Sequence, residues 1–109
     1  MDIIDYRAFT GSSAQKFFKS TLFQSRHLLL GLNCLDSGQV QAPHAHTGQD
    51  KFYFVLEGEG DFTVGDETRR GKTGFAVWAP AGAIHGVANN GTDRLVLLVG
   101  IAPAPGQTA

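Results

Sequence analysis

Only one cysteine, Cys34, occurs in the 109 residues, so the chain has no internal disulfide and nothing in it demands an oxidising compartment. Cys34 lies in the apolar run 28–35 with no neighbour that would activate a thiol, and reads as a small buried hydrophobe. Long hydrophobic runs are missing. No stretch approaches the ~18 consecutive apolar residues of a membrane-spanning helix. The opening Met1-Asp2-Ile3-Ile4-Asp5-Tyr6-Arg7 has acids where a secretion signal needs positive charge before an apolar run, so the expected location is the cytoplasm. An excess of either charge is missing too. Nine Lys and Arg against ten Asp and Glu leave a net charge of −1, which excludes a phosphate backbone or an anionic membrane as the expected partner. The one basic doublet, Arg69-Arg70, follows Gly65-Asp66-Glu67 and reads as a solvated hairpin end.

What is present points to β structure. A hydrophobic fraction of 42% with 14 glycines suits one compact, turn-rich domain over residues 1–109. Short apolar runs at 23–26, 28–35, 51–56, 61–64, 75–78, 87–88 and 94–101 predict strands, punctuated by turn signals such as Asp36-Ser37-Gly38 and Asn89-Asn90-Gly91. The one helix candidate covers 12–19, with Ser12 or Ser13 as its cap. Residues 1–20 form an N-terminal arm, and 102–109 an extended, mobile tail. The pattern is that of an all-β sandwich or barrel. Apart from Lys51, both faces of 51–56 are apolar, and 28–30 and 95–99 behave alike. Such strands are covered on both faces. One cover is the barrel interior. The other is a second subunit, which predicts a homodimer, or the N-terminal segment around Phe17 and Phe18.

Three histidines carry the chemical signal. His44 and His46 follow Pro43, and His85 closes Pro80-Ala81-Gly82-Ala83-Ile84-His85. Neutral imidazole is the commonest biological metal ligand, and residues i and i+2 of a strand share a face. The spacing within residues 38–58 is glycine at 38, histidines at 44 and 46, Lys51 and glycine at 58; within 74–89 it is glycine at 74, proline at 80, glycine at 82, histidine at 85 and asparagine at 89. These blocks resemble the two signature motifs of the cupin superfamily, G-x5-H-x-H-x3,4-E-x6-G and G-x5-P-x-G-x2-H-x3-N. The second matches at every specified position. The first matches everywhere except the glutamate. The short interval between them resembles that of small single-domain bacterial cupins.

The resemblance implies an all-β, antiparallel jelly-roll (double-stranded β-helix) barrel with a metal site inside one end. It implies His44, His46 and His85 as ligands to a divalent transition metal (zinc, iron, manganese, nickel or copper), with the remaining positions left to water or a small-molecule ligand. It is compatible with dioxygenase, decarboxylase or isomerase chemistry, and equally with a non-catalytic binding barrel or a vestigial pocket acting through the dimer surface. Fold does not choose among these.

Lys51 stands where the motif has its glutamate. A protonated lysine has no lone pair and cannot coordinate. Three outcomes follow. The metal sits on the three histidines with Lys51 swung away; Asp50 takes over as ligand, which needs a local bulge; or the metal is absent and Lys51 binds an anion or acts as base or amine nucleophile, its one catalytic candidacy. Tyr53 and Trp78 are expected in the core or along the pocket, Asn89 as a turn residue, His27 as structural or exposed, and Glu57 at a turn or as a counter-charge to Lys51.

Overall fold

The computed structural model describes residues 1–106; the last three, 107–109 of the expected mobile tail, lie outside the described residues. A short 3-10 helix (Tyr6–Phe9) precedes nine strands: β1 (Phe18–Gln24), β2 (Leu29–Leu35), β3 (Val40–His44), β4 (Asp50–Glu57), β5 (Glu59–Val64), β6 (Glu67–Lys72), β7 (Ala76–Ala79), β8 (His85–Ala88) and β9 (Leu95–Ala102). They form two antiparallel sheets, β1-β2-β9-β4-β7 and β3-β8-β5-β6, the two walls of the expected jelly roll. No helix among the described residues is long and apolar enough to cross a membrane.

Register decides which side chains face inward. Tyr53 pairs with Val99, Val55 with Leu97, and Lys51 with Ile101, so these six share the inner face of the larger sheet. Tyr53, Val55, Leu97 and Val99 pack there with Leu35, Phe62, Val87 and Leu95 as the core. Each fully buried apolar side chain of this kind contributes roughly 1.5–3 kcal/mol. The outer face is apolar as well. There Leu32, Cys34 and Val96 are covered by Tyr6, Phe9, Phe18 and Leu22. Phe17 instead packs on the inner core. The N-terminal arm therefore covers part of the outer face, with Tyr6 donating to Glu57 Oε2 at 2.9 Å.

Several elements differ from expectation. No helix forms over 12–19; Phe18 opens β1, because burying Phe17 and Phe18 on opposite faces requires the period of a strand. The strands β3 and β6 carry too little apolar residue to announce themselves. Arg69 and Arg70 lie within β6, where Arg70 reaches both Asp61 (2.7 Å) and Glu59 (2.9 Å). The tail is held as far as Ala104, which is buried and donates to Arg26 O at 3.3 Å, while Gln49 donates to Pro103 O at 3.1 Å.

Candidate metal centre

The sheet of β3 and β8 brings the histidines together. His44, the last residue of β3, lies directly opposite His85, the first of β8. His46 lies beyond the strand end, in the loop leading to β4, so the histidine pair converges through a strand terminus and a loop. The ring centroids are 4.6 Å apart for His44 and His46, 4.5 Å for His44 and His85, and 5.7 Å for His46 and His85. One ring nitrogen from each lies within 4.8 Å of the others.

Hydrogen bonds set the tautomers. His44 Nδ1 lies 3.0 Å from Ala42 O, and His85 Nδ1 lies 3.2 Å from Ala83 O. A carbonyl oxygen only accepts, so each Nδ1 carries the proton and each neutral ring keeps its lone pair on Nε2. His85 Nε2 is buried and has no partner among the described residues. An orphaned buried acceptor costs about 1–3 kcal/mol, and a metal ion would satisfy it. The donor set therefore fits a transition metal: three imidazoles with further positions open. Burial, with the neighbouring cationic side chains, holds His46 and His85 below the usual histidine range, which favours the neutral, coordinating form.

The turn before His85 is tied to the loop that carries His46. Gly82 N donates to His46 O at 2.9 Å, and Ala83 N to Pro80 O at 3.0 Å. Gly82 has φ +82°, a conformation that favours glycine. Asp50 completes this brace: its Oδ1 accepts from Ala81 N at 2.9 Å. The register of β4 runs without irregularity from Asp50 to Val55, so no bulge turns Asp50 inward. Asp50 is exposed and braces the loop, and the bulge that its alternative as a ligand required is absent.

Lys51 points inward. It is 4% exposed, with Nζ 4.7 Å from the Tyr53 ring centroid. Burial first, then the charge of Lys19, lowers its pKa to about 8, and no acid among the described residues opposes them. Lys51 in turn lowers the pKa of His46 and His85. Tyr53 is fully buried, its ring 6.3 Å from that of His85, and its hydroxyl donates to Gln41 Oε1 at 2.6 Å. Trp78 is 58% exposed and pairs with Phe52 on the outer face, away from the histidines. His27 is exposed. Asn89 is a turn residue: Nδ2 donates to Leu35 O and Asp93 O, both at 2.9 Å.

Gln41 escaped the reading of the sequence. Plain alternation puts residues 41 and 44 on opposite faces; an irregularity in β3 between them puts both inside.

The sequence matches the Cupin domain family over residues 31–101. It is 40% identical over 78 residues to the uncharacterised protein SCO3923 of Streptomyces coelicolor, which covers 70% of this chain and 71% of that one. The fold superposes on the crystal structure of TT1209 from Thermus thermophilus with a TM-score of 0.93 and 42% identity, covering 96% of this chain and 100% of that one. It also superposes on an RmlC-like cupin from Desulfovibrio desulfuricans with a TM-score of 0.83 and 28% identity, covering 94% and 97%. The two motif blocks, the double-sheet barrel and the gathered histidines all fall within this likeness, and the chain belongs to the cupin family.

Proposed function

We propose that this protein is a metal-binding cupin that holds a divalent transition ion on His44, His46 and His85 and takes a small organic molecule into the barrel beside it. One observation carries the reading: His85 Nε2 is buried and finds no donor among the described residues while its Nδ1 proton is engaged by Ala83 O, and a ring nitrogen of each histidine lies within 4.8 Å of the others. A bound ion would supply Lewis acidity, or oxygen activation if redox-active, at positions the three imidazoles leave open. The chain's own residues do the rest. The carbonyls of Ala42 and Ala83 hold two rings in the coordinating tautomer. The Gly82–His46 and Ala81–Asp50 bonds fix the loops that carry His46 and His85. Tyr53 walls the site with its hydroxyl engaged by Gln41.

Elemental analysis of untagged protein tests this. Near-stoichiometric zinc, iron, manganese, nickel or copper, or uptake of one of them on reconstitution, is expected, and His85→Ala abolishes it. Less than about a tenth of an equivalent, with no uptake, overturns the reading. A homodimer belongs to the same proposal. The N-terminal arm covers only part of the outer sheet face, leaving Trp78 exposed and Phe52, Phe54, Leu30 and Leu98 partly so. A second copy is the cover we assign to that strip.

A further inference from the structure

Lys51 has no role in the metal reading. It cannot coordinate, and no carboxylate among the described residues answers its charge. Nor does it point idly into the packing. It lines a partly open cavity of about 90 Å³, bounded by β1, β2, β9, β4 and Gln41 of β3. At about 30 Å³ per water molecule, that space fits three waters or one carboxylate group. The charge in the wall is of one sign. Lys51, Asn33 and Gln41 are 4–6% exposed, Lys19 and Thr21 stand at the rim, and no Asp or Glu lines the cavity. Gln41 Oε1 already accepts from Tyr53, which leaves the amide hydrogens of Gln41 as its free groups. The lining therefore offers N–H donors open to the cavity and positive charge, a setting that suits an anion.

We propose that this cavity is a carboxylate subsite: Lys51 Nζ, with Gln41 and Asn33, holds the carboxylate of a small organic acid inside the barrel. The inference rests on the metal-binding reading for one further step. A lysine and a divalent ion in one small barrel repel each other, and an anion between them offsets both charges. The small molecule taken up by the barrel is then a carboxylic acid, held at Lys51 by its carboxylate end. Where other cupins resemble one another in a glutamate ligand, this chain carries a receptor for a carboxylate brought by its ligand.

Acetate is the probe, titrated into full-length protein, metal-free and metal-loaded, with binding followed by the NMR signal of the Lys51 side chain. Acetate is expected to shift that signal saturably, while acetamide and inorganic phosphate leave it nearly unmoved. Lys51→Met should weaken acetate binding at least tenfold, and Lys51→Arg should retain most of it. Saturable binding of acetamide as tight as acetate, tighter binding of phosphate, or unchanged acetate binding in Lys51→Met would each overturn the proposal. The His85→Ala variant separates the two readings. Acetate binding that survives in metal-free His85→Ala supports the subsite independently of any metal. Metal uptake by wild type together with no acetate response, in either the metal-free or the loaded protein, overturns the subsite and leaves the metal reading standing.

Discussion

Lys51 and Tyr53 sit two residues apart on the inner face of β4, with the lysine Nζ 4.7 Å from the centre of the tyrosine ring. The contact lies within cation–π range and recovers about 1–2 kcal/mol. Burial works the other way. A lysine whose pKa falls from 10.5 to about 8 carries a charge costing about 3 kcal/mol at neutral pH. The pair is therefore a net liability to the fold, of the kind retained at sites that meet a ligand.

The first prediction follows from that imbalance. Without added anion, Lys51→Met should be more stable than wild type by about 1–3 kcal/mol at pH 7, since it removes the buried charge and keeps the stem. The folded-state pKa is the lower one, so between about pH 8 and 10.5 the unfolded chain binds more protons and wild-type stability rises with pH. The advantage of Lys51→Met should shrink across that window. Urea unfolding of both proteins at pH 7, 8.5 and 10 measures it. An advantage that stays constant or grows would mean that Lys51 is already neutral or not buried in solution.

Restoring the acid of the motif is the second prediction. Position 51 faces inward on the strand next to the histidines' loop, so Lys51→Glu adds an anionic oxygen and removes a repelling charge at once. Affinity for zinc should rise by about an order of magnitude or more. Competition against a chromophoric chelator reads this directly. Unchanged affinity would place the side chain out of reach of the metal. The same variant should lose acetate binding, because the carboxylate would then meet a like charge.

Asp50 supplies the third. Its Oδ1 accepts from Ala81 N, and the neighbouring Gly82 N is held by His46 O, so the loops bearing two of the histidines are joined by adjacent bonds. Asp50→Ala should cost about 1 kcal/mol of stability and weaken metal binding up to about tenfold, the lower edge of what outer-shell partners contribute. Asp50→Asn keeps an acceptor oxygen and should recover most of both. Equal losses in the two variants would show that charge, not this hydrogen bond, is what Asp50 supplies.

The histidines and their frame were legible because they are a spacing of polar and glycine positions, which the chain states directly. Gly58 illustrates the frame: its φ is +79°, and a Cβ there would lie 2.5 Å from Arg94 O. The strands β2, β4, β7 and β9 of the larger sheet were legible as apolar runs, whereas β1, with polar Lys19, Ser20 and Thr21, was not. What the sequence hid was polar strand and register. Glu67–Lys72 is strand because its backbone completes the β5 edge and Arg70 finds Asp61 and Glu59 across the ladder, none of which appears as hydrophobicity. Gln41 was hidden by the irregularity in β3. Asp50 was placed by alternation as outward, and its partner, Ala81 N, is 31 residues away and visible only once the turn is folded.

The outer face of the larger sheet carries the last prediction. Leu30, Gly100, Phe52 and Trp78 lie in one register row across β2, β9, β4 and β7. The Phe52 ring lies over Gly100 and fills the space where a side chain would stand, which smooths the row into a continuous apolar surface. Trp78 ends it with 58% of its area exposed. A stable interface needs about 800 Å² from each partner, and a large aromatic side chain at its centre is the usual energetic anchor. Pairing of two copies through this face about a twofold axis would cover what the N-terminal arm leaves open. Sedimentation equilibrium at micromolar concentration should therefore give twice the 11.7 kDa chain mass. Trp78→Glu, which puts a charge into the row on the outer face of an edge strand, should weaken association by at least tenfold and leave metal binding intact. A wild-type mass near 11.7 kDa would refute the dimer, and an undiminished dimer in Trp78→Glu would move the interface to another face.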